Sequence, residues 1–318
     1  MFKYKKPMLC LVSALFVSSL LLTACDNAAK KPGARNSQYT KEPTISLYVN
    51  EKGQTQKIKL EEYLKGVVAA EMEPTWPREA LAAQAIIART FTLKKIAQGG
   101  VEAHGTDAST DVKEFQAYDP ARINQNVIAA VDSTRGMVAT YKGNYINGWF
   151  FADAGGRTSA SAAEGLAYTK EKTPYIHSVE DPGFKITVPE NKAWKAVFPL
   201  DQVRAAVQKL TGQNIGENPT KASVVQKGPS GRAVKIKIGN AVVGAPALRL
   251  ALGNEQMRST LLTGLMIANG KLVVTGKGYG HGVGMSQWGA RALAEQGKKA
   301  SDIVHYYFRN IKIERMWK

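Results

Sequence analysis

Between Leu60 and Met72 the apolar residues Leu60, Leu64, Val67, Val68 and Met72 recur near a 3.6-residue period, which predicts an amphipathic helix. Pro74 ends it, because a proline can neither donate its backbone N–H nor clear the preceding turn. Pro77 then suits the first turn of a second helix, Pro77–Gln98, with Glu79 beside its positive N-terminal pole. The centre of that helix, Leu81-Ala-Ala-Gln-Ala-Ile-Ile-Ala-Arg89, is apolar nearly all round, so it belongs inside the protein. Ile45–Val49 alternates like a strand. After a loop at 99–122 a helix is expected at Asn126–Asp132, and Met137–Thr140 and Tyr145–Ala152 flank Lys142-Gly-Asn144 as a hairpin. Further on, Leu200–Leu210 and Leu248–Arg258 read as helices, and Ala222–Val225 and Ala233–Ile238 as a strand pair around Gly228-Pro-Ser-Gly231. Leu265–Ile267 and Lys271–Val274 flank Asn269-Gly270, a tight-turn signal. Helices at Gln287–Gln296 and Ser301–Phe308 close the chain. Strands and helices are mixed without βαβ alternation, which predicts an α+β fold. The expected architecture is a single large mixed domain over residues 44–318, with room for two intimate lobes.

The N-terminus carries a different pattern. Met1-Phe-Lys-Tyr-Lys-Lys6 is basic, Met8–Leu22 is mostly apolar, and Leu22-Thr-Ala-Cys25 follows. A basic start, a short apolar run and a small residue before the cut define an export signal. The run is shorter than the roughly 20 apolar residues of a membrane span. Leu-Thr-Ala-Cys also resembles a bacterial lipobox, in which the cysteine is acylated and becomes the first residue. Residues 1–24 are therefore expected to be a lipoprotein signal and Cys25 the lipidation site. Residues 25–43, polar and containing Pro and Gly, read as a flexible tether. The expected location is the extracytoplasmic face of the bacterial membrane. Of the 2 cysteines, Cys10 leaves with the signal and Cys25 carries lipid, so cysteine catalysis, disulfides and thiolate metal sites are excluded on this reading.

The formal charge is +17, falling to +14 once Lys3, Lys5 and Lys6 leave with the signal. Outside a membrane such a balance favours anionic partners: lipid headgroups, teichoic acids or the carboxylates of peptidoglycan. Nucleic acid is not expected, since no helix-turn-helix or aromatic RNA-binding signature accompanies the charge.

The chemistry begins with Gly276-Lys-Gly-Tyr-Gly-His-Gly-Val-Gly284, where glycines alternate around His281. Residues without a Cβ allow close approach, which suggests a site built for access. The segment lacks the dinucleotide-binding spacing, and Ser286 in Gly284-Met-Ser-Gln-Trp288 misses the nucleophile-elbow pattern by one residue. His104, His177, His281 and His305 are widely separated, and no metal or other cofactor is expected. Glu71 stands at the C-terminal end of an apolar helix, where the dipole and desolvation both disfavour its charge and would raise its pKa, as a general acid requires. Composition alone favours a solvated or salt-bridged glutamate. Gln84 and Arg89 interrupt the apolar helix about 140° apart, so they either line a cleft or satisfy backbone groups inside the fold.

Three blocks of the chain resemble the signatures of the stage II sporulation protein D / amidase-enhancer family. They are Glu62-Tyr-Leu-Lys-Gly-Val-Val-Ala-Ala-Glu-Met72, Trp76-Pro-Arg-Glu-Ala-Leu-Ala-Ala-Gln-Ala-Ile-Ile-Ala-Arg-Thr-Phe91 and Gly278-Tyr-Gly-His-Gly-Val-Gly-Met-Ser-Gln-Trp-Gly-Ala290. Gly155-Gly-Arg-Thr158, Pro174-Tyr175 and Ile303-Val-His-Tyr-Tyr307 fit as well, in order, from about residue 44 onward. The resemblance implies binding and cleavage of peptidoglycan glycan strands, and in the sporulation members a lytic transglycosylase acting on strands already stripped of stem peptides. The family's essential glutamate falls on Glu71. Gln84, Arg89, Tyr118, His281, Ser286 and Gln287 would then line a glycan-binding cleft, with a cell-wall amidase and membrane proteins as partners. The amidase-enhancer members imply an alternative, a non-catalytic glycan binder that stimulates a partner hydrolase. Two departures bear on the choice. His104–Tyr118 lacks the cysteines of the zinc loop found in some relatives, and Phe151-Ala-Asp-Ala154 stands where a Phe-His-Ser segment is expected.

Overall fold

The computed structural model describes residues 39–318. The expected signal, Cys25 and the tether up to residue 38 lie outside them. The folded body begins before residue 44: Tyr39 packs against the core and the Glu42 carboxylate accepts the Glu61 N–H at 3.0 Å and pairs with Arg135.

The apolar periodicity of Leu60–Glu71 becomes a helix that buries Leu60, Tyr63, Leu64, Val67 and Val68. Arg78–Ala97 forms the second helix and, being apolar all round, is buried at nearly every position from Ala80 to Leu93. Helices Gln125–Ser133, Gln287–Glu295 and Ala300–Tyr307 pack on it. Small sheets edge this first core. Thr44–Val49 pairs antiparallel with Gln54–Lys59 and parallel with Ala108–Ser109, and Met137–Tyr141 lies between Lys312–Arg315 and Asn144–Tyr145.

Residues 194–274 build a second hydrophobic core of their own. Strand Lys271–Gly276 lies between Leu262–Ala268 and Trp194–Pro199, and Ala233–Ile238 lies between Ala222–Lys227 and Ala241–Gly244, all antiparallel. Helices Leu200–Thr211 and Ala245–Leu252 complete it, with Phe198, Val203, Val207, Ile236, Leu248 and Leu272 inside. The chain then returns, and Val283, Met285, Leu293, Val304 and Phe308 rejoin the first core. The fold is α+β, as the mixed patterning predicts.

Departures from the expected elements have local causes. Gln54–Lys59 is a mostly exposed edge strand with no apolar face, so alternation gives no signal. The expected strand Tyr145–Ala152 is broken into Asn144–Tyr145 and Phe150–Phe151. Between them the chain crosses the buried helix so closely that a Cβ on Gly148 would lie 2.7 Å from the Ile87 carbonyl oxygen. The helix expected at Leu248–Arg258 starts earlier, at Ala245 with Pro246 in its first turn, and ends at Leu252 because Gly253 turns away with φ 101°.

One buried ion pair joins the parts of the first core. The Arg89 guanidinium donates from Nε to Glu61 Oε1 at 3.0 Å and from Nη2 to Oε2 at 2.6 Å, and both side chains are sealed from solvent. Glu61 also accepts the Gly136 backbone N–H and the Trp317 indole N–H, each at 3.0 Å. Arg89 Nη1 donates to the Met137 carbonyl at 2.9 Å. Four donors thus converge on the carboxylate, which is what makes a buried charge pair tolerable. Removing one partner strands the other. Arg89→Leu is expected to lower unfolding stability in urea by about 3–5 kcal/mol, and a loss below about 1 kcal/mol would contradict this role.

Candidate active site

Glu71 is the last residue of the helix Leu60–Glu71, after which Met72 turns extended. The segment Gln116-Ala-Tyr118 is laid across this helix and holds the carboxyl. Gln116 Nε2 donates to Thr92 Oγ1 at 2.9 Å, fixing the segment to the buried helix. The Ala117 N–H donates to Glu71 Oε1 at 2.8 Å. The Tyr118 ring covers Gly66, where a Cβ would sit 2.3 Å from Tyr118 Cε2, and stacks on Tyr63 with centroids 5.5 Å apart. Gln287, the first residue of helix Gln287–Glu295, approaches the same carboxyl, although its Nε2 makes no well-aligned hydrogen bond. Burial pushes the Glu71 pKa up to about 7, against the opposing pull of the Ala117 N–H and Gln287. Desolvation wins over two polar neighbours, so the group is poised near neutral pH.

Glu71 opens into a cleft of about 640 Å³. Phe150–Ala152 and Tyr279–His281 contribute from the first core's strand and the glycine segment, and Pro246, Ala247, Arg249 and Leu250 from the helix Ala245–Leu252 of the second core. Among the lining residues Glu71 is the only carboxylate and Arg249 the only arginine or lysine.

His281 lines the same cleft but is held by its own surroundings. Its Nδ1 accepts the Val283 N–H at 3.1 Å, and the Phe150 backbone engages the ring. Burial, and then the Arg249 guanidinium, push its pKa down to about 3. The imidazole is therefore neutral, with its proton on Nε2, and cannot trade a proton near neutral pH. The alternating glycines have a different cause from the expected one. At Gly282 (φ 84°) a Cβ would lie 2.4 Å from Arg232 Nε, and at Gly284 (φ 82°) 2.2 Å from the Trp149 carbonyl oxygen. The segment is bare because it is pressed against the protein itself, not to admit a ligand.

The other residues singled out from the sequence lie elsewhere. Ser286 is fully buried and caps helix Gln287–Glu295, its Oγ accepting the Gly289 N–H at 3.1 Å. Arg89 belongs to the ion pair with Glu61. Gln84 is buried in the same helix, with neither amide atom bonded among the described residues. Tyr118 positions the segment that reaches Glu71 without lining the cleft. His104 stacks on Tyr48, centroids 3.6 Å apart, with Nε2 3.1 Å from both Glu114 oxygens. Glu71, His281 and Gln287 are thus brought together; Gln84, Arg89, Tyr118 and Ser286 are not. Sequence reasoning missed Arg249, whose signal was a lone charge in Ala245-Pro-Ala-Leu-Arg-Leu-Ala-Leu252.

The raised Glu71 pKa is also a stability statement. The folded state holds the proton more tightly than the unfolded chain, whose carboxyl ionises near 4.5. The stabilisation is complete below that value and is lost as pH rises through about 7. Glu71→Gln should therefore unfold at higher urea than the parent at pH 8, by up to about 3 kcal/mol. The gap should close below pH 5; an equal offset at both pH values would refute the assignment.

Residues 48–141 match a family model described as Stage II sporulation protein, and residues 182–284 match a domain of unknown function. The first match falls in the first core and the second spans the second. The chain is 31% identical over 307 residues to stage II sporulation protein D of Bacillus subtilis (strain 168), covering 89% of this chain and 83% of that protein. It is 33% identical over 260 residues to an uncharacterized protein of Brachyspira hyodysenteriae (strain ATCC 49526 / WA1), covering 80% of this chain and 67% of the relative. It is also 29% identical over 290 residues to the amidase enhancer of Bacillus subtilis (strain 168), covering 77% of this chain but 39% of that protein. With this identity over most of both chains and a matching family model, the chain belongs to the stage II sporulation protein D family.

Proposed function

We propose that this protein is a lipid-anchored lytic transglycosylase of the extracytoplasmic face, cleaving peptide-stripped peptidoglycan glycan in sporulation. The observation that carries the reading is Glu71: a single carboxyl in the cleft, with a pKa of about 7. Two-carboxylate glycosidases divide acid and nucleophile or base between separate groups. Intramolecular cleavage needs only one. Protonated Glu71 gives its proton to the glycosidic oxygen between N-acetylmuramic acid and N-acetylglucosamine as the bond to the muramyl C1 breaks. The resulting carboxylate then accepts the proton of the muramyl 6-hydroxyl, whose oxygen bonds to C1. The product is a 1,6-anhydro end, and Glu71 regains its proton. Gln287 and neutral His281 position the sugar, the backbone donor at Ala117 holds the carboxyl, and Cys25 carries the lipid.

A second reading is favoured by the relative named as an amidase enhancer and by Ala152-Asp153 in place of the expected histidine segment. In it the same cleft holds glycan for a partner amidase without cleaving it.

Mass spectrometry of peptide-free glycan digests separates the two. The first reading predicts anhydromuramyl products from the purified protein, with release reduced about 10²–10⁴-fold by Glu71→Gln. Undiminished turnover by that variant would sink the mechanism. Glycan binding without product, together with stimulation of an added amidase, would establish the second reading. For the enzyme, the rate should fall as pH rises above about 7, because the acid must begin protonated. An activity still rising at pH 9 would contradict Glu71 as the acid.

A further inference from the structure

The cleft contains a guanidinium to which no carboxylate is paired. Arg249 is 7% exposed and comes from the second core's helix Ala245–Leu252. Its Nε donates to the Arg258 carbonyl at 3.0 Å and its Nη2 to the Asn254 carbonyl at 3.4 Å. Nη1 has no hydrogen-bond partner among the described residues, yet it is not among the enclosed orphan atoms, so it reaches the cleft that the residue lines. No carboxylate bears on this guanidinium; the only titratable group raising its pKa is the Tyr279 phenol.

The contrast with the other buried arginines is direct. Arg89 has Glu61, and Arg232 sits in the field of Glu164, Asp181 and Asp153. A guanidinium withdrawn from water without a counter-charge is costly to keep. Two of its donors are held by backbone carbonyls, which fixes the plane of the fork and aims the remaining N–H groups. Such a fork matches a carboxylate. Neutral His281 adds no competing charge beside it.

Building on the glycan reading above, we propose that Arg249 is the substrate-selecting residue, pairing with the free lactyl carboxylate of a muramyl residue in the cleft. That carboxylate exists only where no stem peptide is attached. In peptide-bearing glycan the same carbon is an amide, uncharged, and would leave the guanidinium unpaired and desolvated. N-Acetylglucosamine lacks the lactyl group altogether. Arg249 would thus make removal of the peptide a condition of tight binding, with selection residing on the second core and the acid on the first.

The test is calorimetric binding in a Glu71→Gln background, where turnover is suppressed. Three oligosaccharides of equal length are compared: peptide-free muramyl glycan, the same glycan with its lactyl carboxyls converted to methylamides, and an N-acetylglucosamine oligomer. The carboxylate form should bind about 10- to 100-fold tighter than the methylamide. Arg249→Gln should erase that difference while leaving the neutral oligomer within about twofold. Arg249→Lys, which keeps the charge but loses the fork, should restore part of the discrimination. Equal affinity for carboxylate and methylamide in the Arg249 protein would overturn the proposal. So would an equal loss on all three sugars in Arg249→Gln, since that is what a bracing role at Asn254 and Arg258 predicts. Binding to glycan without carboxylate preference would overturn this assignment alone. Failure of all three to bind would overturn the glycan reading and this proposal with it.

Discussion

The ion pair between Glu61 and Arg89 fixes the frame on which the cleft depends. It is made where the two central helices, the Gly136 turn and Trp317 converge, and both partners make several hydrogen bonds there. Glu61 lies in the first turn of the helix that Glu71 ends. Ten residues of α-helix separate them by about 15 Å, so locking one end places the other. The two glutamates differ in what the fold supplies. Glu61 receives four hydrogen bonds, two of them from a guanidinium. Glu71 receives one well-formed backbone hydrogen bond and a loosely placed amide, and burial without compensation leaves it ready to hold a proton.

The second core supplies what the first lacks. Its helix Ala245–Leu252 brings apolar wall and a fixed positive charge to a cleft whose acid comes from the other core. The return of the chain through the glycine segment joins them: Asp153 and Tyr279 exchange backbone hydrogen bonds at 2.9 and 2.8 Å, and Arg232 of the second core donates to the Ala154 carbonyl at 2.8 Å. The close approach at Gly282, directly over Arg232, belongs to the same junction. Larger side chains there would push the two cores apart before they altered any chemistry.

Much of this was legible in the sequence, and the exceptions are instructive. Leu60–Glu71 and Arg78–Ala97 were readable to within a residue or two because a 3.6-residue apolar period is a local property. Glu71 was readable as a candidate because its helix-end setting is local too. The role of Arg89 was not, since the choice between cleft and core depends on a partner 28 residues away, in an acidic first turn that looks like ordinary solvated helix start. Gln54–Lys59 escaped because an exposed edge strand has no pattern to show. The glycines around His281 were visible, but what they approach is set by Trp149, Phe151 and Arg232, distant in the chain. Arg249 was passed over, because a lone charge in an apolar helix gains meaning only in the folded cleft, where no carboxylate pairs with it.

The bond from Trp317 to Glu61 spans 256 residues of chain. It imposes an order of assembly. The second core is drawn from one contiguous stretch, residues 194–274. The first core needs segments from Ile45 through Trp317 and cannot complete its polar centre until residue 317 is available. During synthesis residues 194–274 therefore precede Trp317, which completes the hydrogen bonding of Glu61 in the acid-bearing helix. Before that moment Arg89 already has Glu61 and the Ala85 and Met137 carbonyls, and what is missing is the indole donor to Glu61.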